Sequence, residues 1–460
     1  MNLATTDEVL KDDTEVDART QALGRELFAL ARRMPSGESW WDRRVMSLGM
    51  SDEHVKAQLF RLVDVLPVLS TSQQVNRHLR EYLGDVREHL PWVARAGLGW
   101  LPENGFFGRR LAGAAVKNTR RMARRFIAAS DVTEAVAAAK ALRARRMTFT
   151  VDLLGEAVLS AAEAIAYQKY YLDLVEGLSN DAANWPDDPL IDRDDRGPIP
   201  KVNVSVKLSS LFSQFDPIDP DGTSRAVRER LRPILRLAKD RGAFVNFDME
   251  QFAYKDLTIR IFREILGEED FRAWGDVGIA IQAYLKSSGE DLRELAQWAR
   301  RRGTPVWVRL VKGAYWDYER IVARQNDWPL PVYDQKPETD ANYEAQAAFL
   351  IENCEWLRPA IASHNIRSIA AALAHAEAHK LPQGAIEFQL LYGMADPIKA
   401  ALIRMNHRVR VYAPVGALLP GMAYLVRRLL ENTSNESFLR AGFLERVPEE
   451  TLLMNPLKLL

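Results

Sequence analysis

Several features that would point to a secreted, membrane-spanning or nucleic-acid-binding protein are missing from this 460-residue sequence. A single cysteine, Cys354, excludes an internal disulfide and is typical of a reducing compartment. No uncharged apolar run reaches the roughly 18 residues that a membrane-spanning helix needs. The 62 basic and 62 acidic residues cancel, so no overall charge attracts the chain to nucleic acid. The acidic start, MNLATTDEVLKDDTEVD, has no apolar segment, so neither a secretory signal nor a transit peptide is expected there. We therefore expect a cytoplasmic protein that does not bind nucleic acid.

Common cofactor and metal motifs are also missing. The sequence has no GxxxxGK[ST] or GxSxG motif, and the glycine-containing stretch at 97–105 lacks the third glycine and the preceding strand of a dinucleotide fingerprint. His375 and His379 are spaced like two metal ligands on one helix face, but the glutamate of a zinc protease motif is misplaced. A surface helix explains them better, and no metal site is expected.

The pattern of the chain changes at Met147. Before it, residues 1–146 show helical spacing and no strand-like run, which predicts an all-helical N-terminal domain. After it, eight short β-rich runs alternate with stretches of helix length: MTFTVDL, VNVSVKL, FVNFDM, GIAIQAY, VWVRLVKG, AIASHN, IEFQLL and VRVYAP. Eight such alternations predict an α/β fold, a (β/α)₈ TIM barrel over 147–440, with a doubly wound open sheet as the alternative. Residues 441–460 are then a C-terminal tail or the start of a linker, and 179–201 and 316–344 are predicted to be long loops.

Polar residues stand at the carboxyl end of nearly every predicted strand, where the active sites of such barrels lie. Buried ionisable groups need a partner or a ligand, so the set predicts a binding site. The alternative is an internal ion-pair lattice, such as Lys207 paired with Asp248. The set comprises Asp152, Lys207, Asp248, Gln282, Arg309, Lys312, His364, Gln389 and Tyr412.

Two stretches rich in arginine add to this interpretation. In MAYLVRRLLEN, Arg427, Arg428 and Glu431 lie three, four and seven residues after Tyr424, so they share one face of a predicted helix. Two guanidiniums there could bind a carboxylate or phosphate, or could form a solvated helix face. The second stretch, 104–130, carries seven Lys or Arg and predicts a basic amphipathic helix. Packing on the barrel is favoured for it, and peripheral membrane contact is the alternative.

Ten ordered blocks carry a family resemblance: VDLLGEA, VSVKLSSL, NFDME, IQAYLKS, VRLVKGAYWD, KPETDANYE, SHN, EFQLLYGM, VYAPVG and YLVRRLLENTSNESF. Through them the chain, from Met147 to about Phe438, resembles the proline dehydrogenase domain of bacterial proline utilisation A, a bifunctional flavoenzyme. The resemblance implies a distorted (β/α)₈ barrel that binds FAD, oxidises L-proline to 1-pyrroline-5-carboxylate and passes electrons to a membrane quinone. Residues 1–146 resemble the family's helical arm and α-domain.

The resemblance also implies roles for individual residues. A carboxylate clamp is expected from Arg427, Arg428 and Lys207, with Asp248 oriented near Lys207. Further substrate-site positions are Tyr315, Tyr412, Leu391 and Ala314 around the proline ring, and Glu156 as a gate that pairs with Arg427. Gln282 and Arg309 are expected at the isoalloxazine ring. The other implied FAD contacts are Val311, Lys312, Gly313, Ala314, Trp316, Lys336, Thr339, Ser363, His364, Asn365 and Glu431.

The bifunctional members of the family continue into an aldehyde dehydrogenase domain with a nucleophilic cysteine. Cys354 matches no such position, so that second activity is not expected from these residues. The chain is either a stand-alone proline dehydrogenase, located in the cytoplasm or peripherally on the inner face of the cytoplasmic membrane, or a piece of a longer protein. The alternative function is a barrel lyase or aldolase with Lys207 as a Schiff base, which would need a depressed pKa for Lys207.

Overall fold

The structure, a computed structural model, describes residues 3–34, 124–155, 158–417 and 447–460, with isolated positions between 58 and 88. Its described strands form a closed, all-parallel barrel in sequence order, so the predicted TIM-type barrel is confirmed and the open sheet is wrong. The strands are β1 Thr148–Leu153, β2 Asn203–Val206, β3 Phe244–Phe247, β4 Val277–Gln282, β5 Val306–Val311, β6 Leu357–Ala362, β7 Glu387–Leu391 and β8 Arg408–Val415.

Helices surround this barrel. Those in the described residues are α1 Leu3–Arg33, α2 Val132–Ala144, α3 Ala161–Ala182, α4 Pro220–Asp240, α5 Phe252–Leu266, α6 Ser288–Arg302, α7 Trp316–Gln325, α8 Lys336–Glu352, α9 Ile366–Ala378, α10 Asp396–Arg404 and α11 Glu449–Leu452. Local sequence sets their ends. In α6 the acidic residues of the first turn and the arginines of the last turn complement the helix dipole, and Gly303 terminates it with φ of 75°.

The described part of the N-terminal region packs on the barrel. Helix α1 contacts α9 and α10, and it buries Leu23, Leu27 and Phe28 in the common apolar core. Buried Arg367 of α9 holds α1 against the barrel by donating a hydrogen bond to Asp17 of α1 at 2.6 Å. The division of the chain at residue 146 stays a prediction. Among the described residues, no helix combines the length and the apolar character that a membrane crossing requires.

Two details of the sequence-based expectations are wrong. Residues 316–344, predicted to be a loop, contain α7 and the first half of α8, which are joined by residues 326–335 with Pro329 and Pro331. The predicted 179–201 loop begins later, because α3 continues to Ala182. Helix α3 starts at Ala161, since the side chain of Ser160 caps it by accepting from the Glu163 amide.

Candidate active site

Arg309 lies at the centre of the polar groups inside the barrel. It is on β5, and its side chain is 4% exposed. Its Nε donates to Gln389 Oε1 at 2.7 Å, from β7. Its two terminal nitrogens donate to Asp248 Oδ1 at 2.5 Å and to Ser205 Oγ at 3.0 Å. Three acceptors, on β2, on β7 and directly after β3, therefore fix both the position and the plane of the guanidinium.

Asp248, directly after β3, connects Arg309 with its neighbours. Its second carboxylate oxygen accepts from the hydroxyl of Tyr412 on β8 at 2.7 Å, and Asn246 Nδ2 donates to the first at 3.2 Å. The ring of Tyr412 lies 5.1 Å from the Arg309 guanidinium, within cation–π distance. Burial, together with the carboxylates of Asp152 and Asp248, raises the pKa of Tyr412, so its hydroxyl remains a donor.

Lys207 follows β2 and points to two carboxylates. Its Nζ is in direct contact with Asp152 of β1, while Asp248 Oδ2 is 3.9 Å away. The expected proximity to Asp248 is therefore present, but the closer partner is Asp152. Burial disfavours the charged amine, yet Asp152 and Asp248 outweigh it and raise the pKa of Lys207. Lys207 is thus a protonated ammonium whose side chain is 12% exposed.

Gln282, the last residue of β4, and Gly313, shortly after β5, lie at the carboxyl end of the barrel. Gln282 Nε2 donates to the Glu250 carbonyl at 2.9 Å, whereas its Oε1 is buried and accepts no hydrogen bond from any described residue. Gly313 has φ of 136°, and a Cβ there would come within 2.4 Å of the Tyr284 ring. Only glycine fits this position, so the backbone after β5 passes directly over an aromatic face.

A pair of lysines lies beside this glycine. Lys312 contacts Asp340 of α8, and Lys336, at the start of the same helix, donates to Asp340 at 2.7 Å. Burial lowers the pKa of Lys312 although Asp340 opposes the shift. Burial would raise the pKa of Asp340, but the two lysines dominate and lower it. The site thus concentrates two amines around one carboxylate, next to buried Thr339.

The loop after β6 forms another side of the mouth. His364 Nε2 accepts from the backbone N–H of Leu391, at the end of β7, over 3.0 Å. Ser363 Oγ accepts from the Asn365 amide at 3.0 Å, and the Asn365 side chain caps α9. The side chain of Asn365 therefore has a structural task of its own, and the hydrogen bond from Leu391 to His364 holds the SHN turn close to β7.

The stretch after Gly313 is less enclosed. Ala314 is exposed, Tyr315 is half-buried, and Trp316 begins α7. The indole nitrogen of Trp316 donates to the Tyr333 carbonyl at 2.8 Å, and its ring lies 4.2 Å from the Arg320 guanidinium. Half-buried Val311 ends β5. Four residues with implied roles lie outside the described residues, namely Glu156, Arg427, Arg428 and Glu431.

Several residues in this network were not among the predicted site residues. Asp152 and Gln389 stood out only as polar strand ends, and the inward alternation of Asn203 and Ser205 in VNVSV was a signal that could have identified Ser205. Asp340 lies four residues after Lys336, a spacing that favours an ion pair on a helix.

Comparison with known proteins finds two matching family models. A family model described as proline dehydrogenase matches residues 135–441, and one described as the proline utilization A N-terminal domain matches residues 17–126. A bifunctional protein PutA from Klebsiella aerogenes is 32% identical over 344 residues, which are 73% of this chain and 25% of that protein. A proline dehydrogenase from Deinococcus radiodurans is 30% identical over 325 residues, 70% of this chain and 90% of that protein.

A solved structure extends the similarity over almost the whole chain. The crystal structure of proline utilization A from Bdellovibrio bacteriovorus, inactivated by N-propargylglycine, is 45% identical with a TM-score of 0.89. The match covers 97% of this chain and 44% of that one. The present chain therefore spans about a quarter of the length of the bifunctional relatives in sequence and less than half of this solved chain.

Proposed function

Because the chain belongs to the proline dehydrogenase family, we propose that it oxidises L-proline to 1-pyrroline-5-carboxylate, the first step of proline catabolism, with bound FAD as the hydride acceptor. One observation carries the proposal: Lys207, Arg309 and Tyr412 converge on buried carboxylates at the carboxyl ends of the strands. A largely buried group of charged side chains at that end of a TIM barrel suits a small zwitterionic substrate.

The described residues fit an isoalloxazine ring. The buried Oε1 of Gln282, which accepts nothing from the described residues, would accept from a flavin N–H. Gly313, whose missing side chain lets the backbone pass over the Tyr284 ring, is proposed as a backbone contact of the flavin. Lys312 and Lys336 supply positive charge for the diphosphate, with Thr339, Ser363, His364, Asn365 and, outside the described residues, Glu431 proposed as further contacts. When bound, FAD supplies a two-electron acceptor for the hydride.

Arg309 has a proposed role at the flavin ring. Three of its N–H groups are occupied by Gln389, Asp248 and Ser205, and a guanidinium has five, so each terminal nitrogen keeps one for a ligand. A fixed cation in a desolvated site stabilises the negative charge that develops on reduction. Because its orientation is set before the ligand arrives, little reorganisation accompanies the reaction.

Lys207 is proposed to belong to the carboxylate clamp, and it is the member that lies within the described residues. Held by Asp152 and by the Leu153 carbonyl at 3.4 Å, its ammonium retains one N–H for the proline carboxylate. Arg427 and Arg428 are the proposed partners, and Glu156 the gate, all outside the described residues. Tyr412, fixed by Asp248, and Leu391, Tyr315 and Ala314 are proposed to surround the proline ring and exclude water.

The electron acceptor is proposed to be a membrane quinone, which would require at least transient contact with a membrane surface. The lyase alternative is disfavoured by a specific observation. A Schiff-base lysine has to lose its proton near neutral pH, whereas the two carboxylates raise the pKa of Lys207.

The visible absorption spectrum of the purified chain tests the proposal. We expect flavin bands that bleach when L-proline is added without oxygen. The matched control is Lys207→Met, which should keep the flavin bands but bleach only at much higher proline concentrations, because the cofactor contacts are intact. A colourless protein that takes up no added FAD, or bound FAD that L-proline does not reduce, would show the proposal to be wrong.

A further inference from the structure

Gln389 joins two charged groups inside the barrel. It lies on β7 with 6% exposure, and its Oε1 accepts from Arg309 Nε at 2.7 Å. Its Nε2 donates to Glu387 Oε1 at 2.8 Å. We propose that Gln389 is a positioning residue of the reaction, whose amide sets the orientation of the Arg309 guanidinium at the flavin. The inference rests on the proposed function of Arg309.

The chemistry of the two partners fixes which way the amide points. Arginine only donates hydrogen bonds, so it requires the oxygen of Gln389. Arg410 and Arg408 hold the pKa of Glu387 at about 2 despite its burial, so Glu387 is ionised and only accepts. A flipped amide would therefore face a donor with a donor and an acceptor with an acceptor, and both hydrogen bonds would be lost.

Glu387 gives this amide a rigid support. Arg410 of β8 donates to both carboxylate oxygens, at 2.6 and 2.9 Å, and Arg408 donates at 3.0 Å. Because Arg410 also donates to Thr148 Oγ1 and to the Phe149 carbonyl, the support extends to β1. Gln389 is thus hydrogen-bonded to a carboxylate that two arginines hold in place, and through this bond it restrains the Nε of Arg309.

The Nε bond has a different task from the other two contacts of Arg309. Asp248 balances its charge, and Ser205 occupies one N–H of the far terminal nitrogen. Loss of the Gln389 oxygen leaves the charge in place but removes the acceptor on one edge, so the guanidinium can tilt. A tilted cation aims its free N–H groups less well, and electrostatic stabilisation in a buried site depends on that alignment.

The test uses the full chain with bound FAD and the variant Gln389→Met, which keeps the side-chain length and removes both hydrogen bonds. The matched control is Thr148→Val, which removes a buried hydrogen bond to Arg410 in the same barrel without contacting Arg309. Two properties are measured: the affinity of the bound flavin for sulfite, which adds to the ring and is favoured by nearby positive charge, and the rate of anaerobic flavin bleaching at saturating L-proline.

We expect Gln389→Met to weaken sulfite binding and slow bleaching by about tenfold or more, the scale of a misaligned electrostatic group. The KM for proline should stay close to the parent value, since Lys207 and Asp152 are untouched. Thr148→Val should match the parent in sulfite affinity and bleaching rate. A purely structural role would lower the stability of Gln389→Met and leave sulfite affinity and bleaching rate at parent values, and that result would overturn the proposal.

A second variant guards against a Gln389→Met protein that does not fold. Gln389→Asn keeps a polar amide but withdraws it from Arg309 by one methylene, and it should weaken sulfite binding in the same direction. Parent-like sulfite affinity in every variant that folds would overturn the inference alone, provided that L-proline bleaches the parent. A parent whose flavin L-proline does not bleach would instead overturn the proposed function, and the inference with it.

Discussion

Two ionic clusters occupy opposite halves of the barrel interior, and they differ in how completely their charges are satisfied. The upper cluster, at the carboxyl ends of the strands, comprises Asp152, Lys207, Asp248, Arg309 and Tyr412. The lower cluster, at the amino ends, comprises Glu387, Arg408 and Arg410. Both are buried, so burial alone does not distinguish a binding site from a structural ion pair.

In the lower cluster, donors of the protein itself satisfy both carboxylate oxygens of Glu387. Each oxygen of Glu387 accepts two hydrogen bonds, and Arg408 donates to Glu387 and to the backbone carbonyls of Arg193 and Gly384. In the upper cluster, Lys207 and Arg309 retain N–H groups beyond those that the described partners use. We infer that the lower cluster stabilises the fold, whereas the upper one is arranged for a ligand.

The largest expected effect comes from breaking the lower cluster. Glu387→Ala leaves two buried guanidiniums without their carboxylate, and we expect the free energy of unfolding to fall by about 3 to 5 kcal/mol. Urea unfolding measures it. Glu387→Gln is the control, because it keeps the shape and part of the hydrogen bonding and should lose less. Equal stability of Glu387→Ala and the parent would contradict the structural role.

Acid should weaken the same cluster in a defined pH window. Burial opposes the charge on Glu387, but Arg410 and Arg408 lower its pKa from 4.5 to about 2. Because the folded-state pKa is depressed, the stabilisation is complete above pH 4.5 and is lost as the pH falls through about 2. The shift corresponds to about 3 kcal/mol. Unfolding curves between pH 5 and pH 2 should show a smaller acid loss in Glu387→Gln than in the parent.

The upper cluster should respond in substrate turnover instead. For Lys207→Met we expect kcat/KM for L-proline to fall. The fall should correspond to a loss of about 1.5 to 3 kcal/mol of transition-state stabilisation, the contribution of a hydrogen bond to a charged group. FAD content should not change. Stability should also fall, because buried Asp152 loses its closest cation, but it should fall less than in Glu387→Ala, since Arg309 and Tyr412 still satisfy Asp248. Steady-state kinetics and the flavin absorbance measure both. A parent-like kcat/KM would contradict a carboxylate clamp at Lys207.

The contrast also shows how far sequence patterns reach. The strands were predictable because β-branched runs alternate with helical stretches, and the polar strand ends followed from the parallel topology. The carboxylate that contacts Lys207 was not predictable, because the choice between Asp152 and Asp248 depends on side-chain direction across neighbouring strands. Helix α7 was missed because it is only 10 residues long and is followed by a proline-containing connection, so its residues were counted with the loop.

The smallest expected effect separates two carboxyl groups at the lower mouth of the barrel. Glu387 and Asp276 both line a cavity there, together with Arg410 and Trp307. Burial, with Asp194 nearby, raises the pKa of Asp276 from 3.8 to about 6, opposite to the shift of Glu387.

A raised folded-state pKa means that ionised Asp276 destabilises the fold above pH 6 and that its protonation between pH 6 and 3.8 relieves this. Asp276→Asn should therefore stabilise the protein at pH 8 by about 1 kcal/mol, discounted because the carboxylate is partly exposed, and should lose that advantage below pH 4. Unfolding at the two pH values measures the difference, and a gain that does not depend on pH would mean that the charge of Asp276 is not its cause.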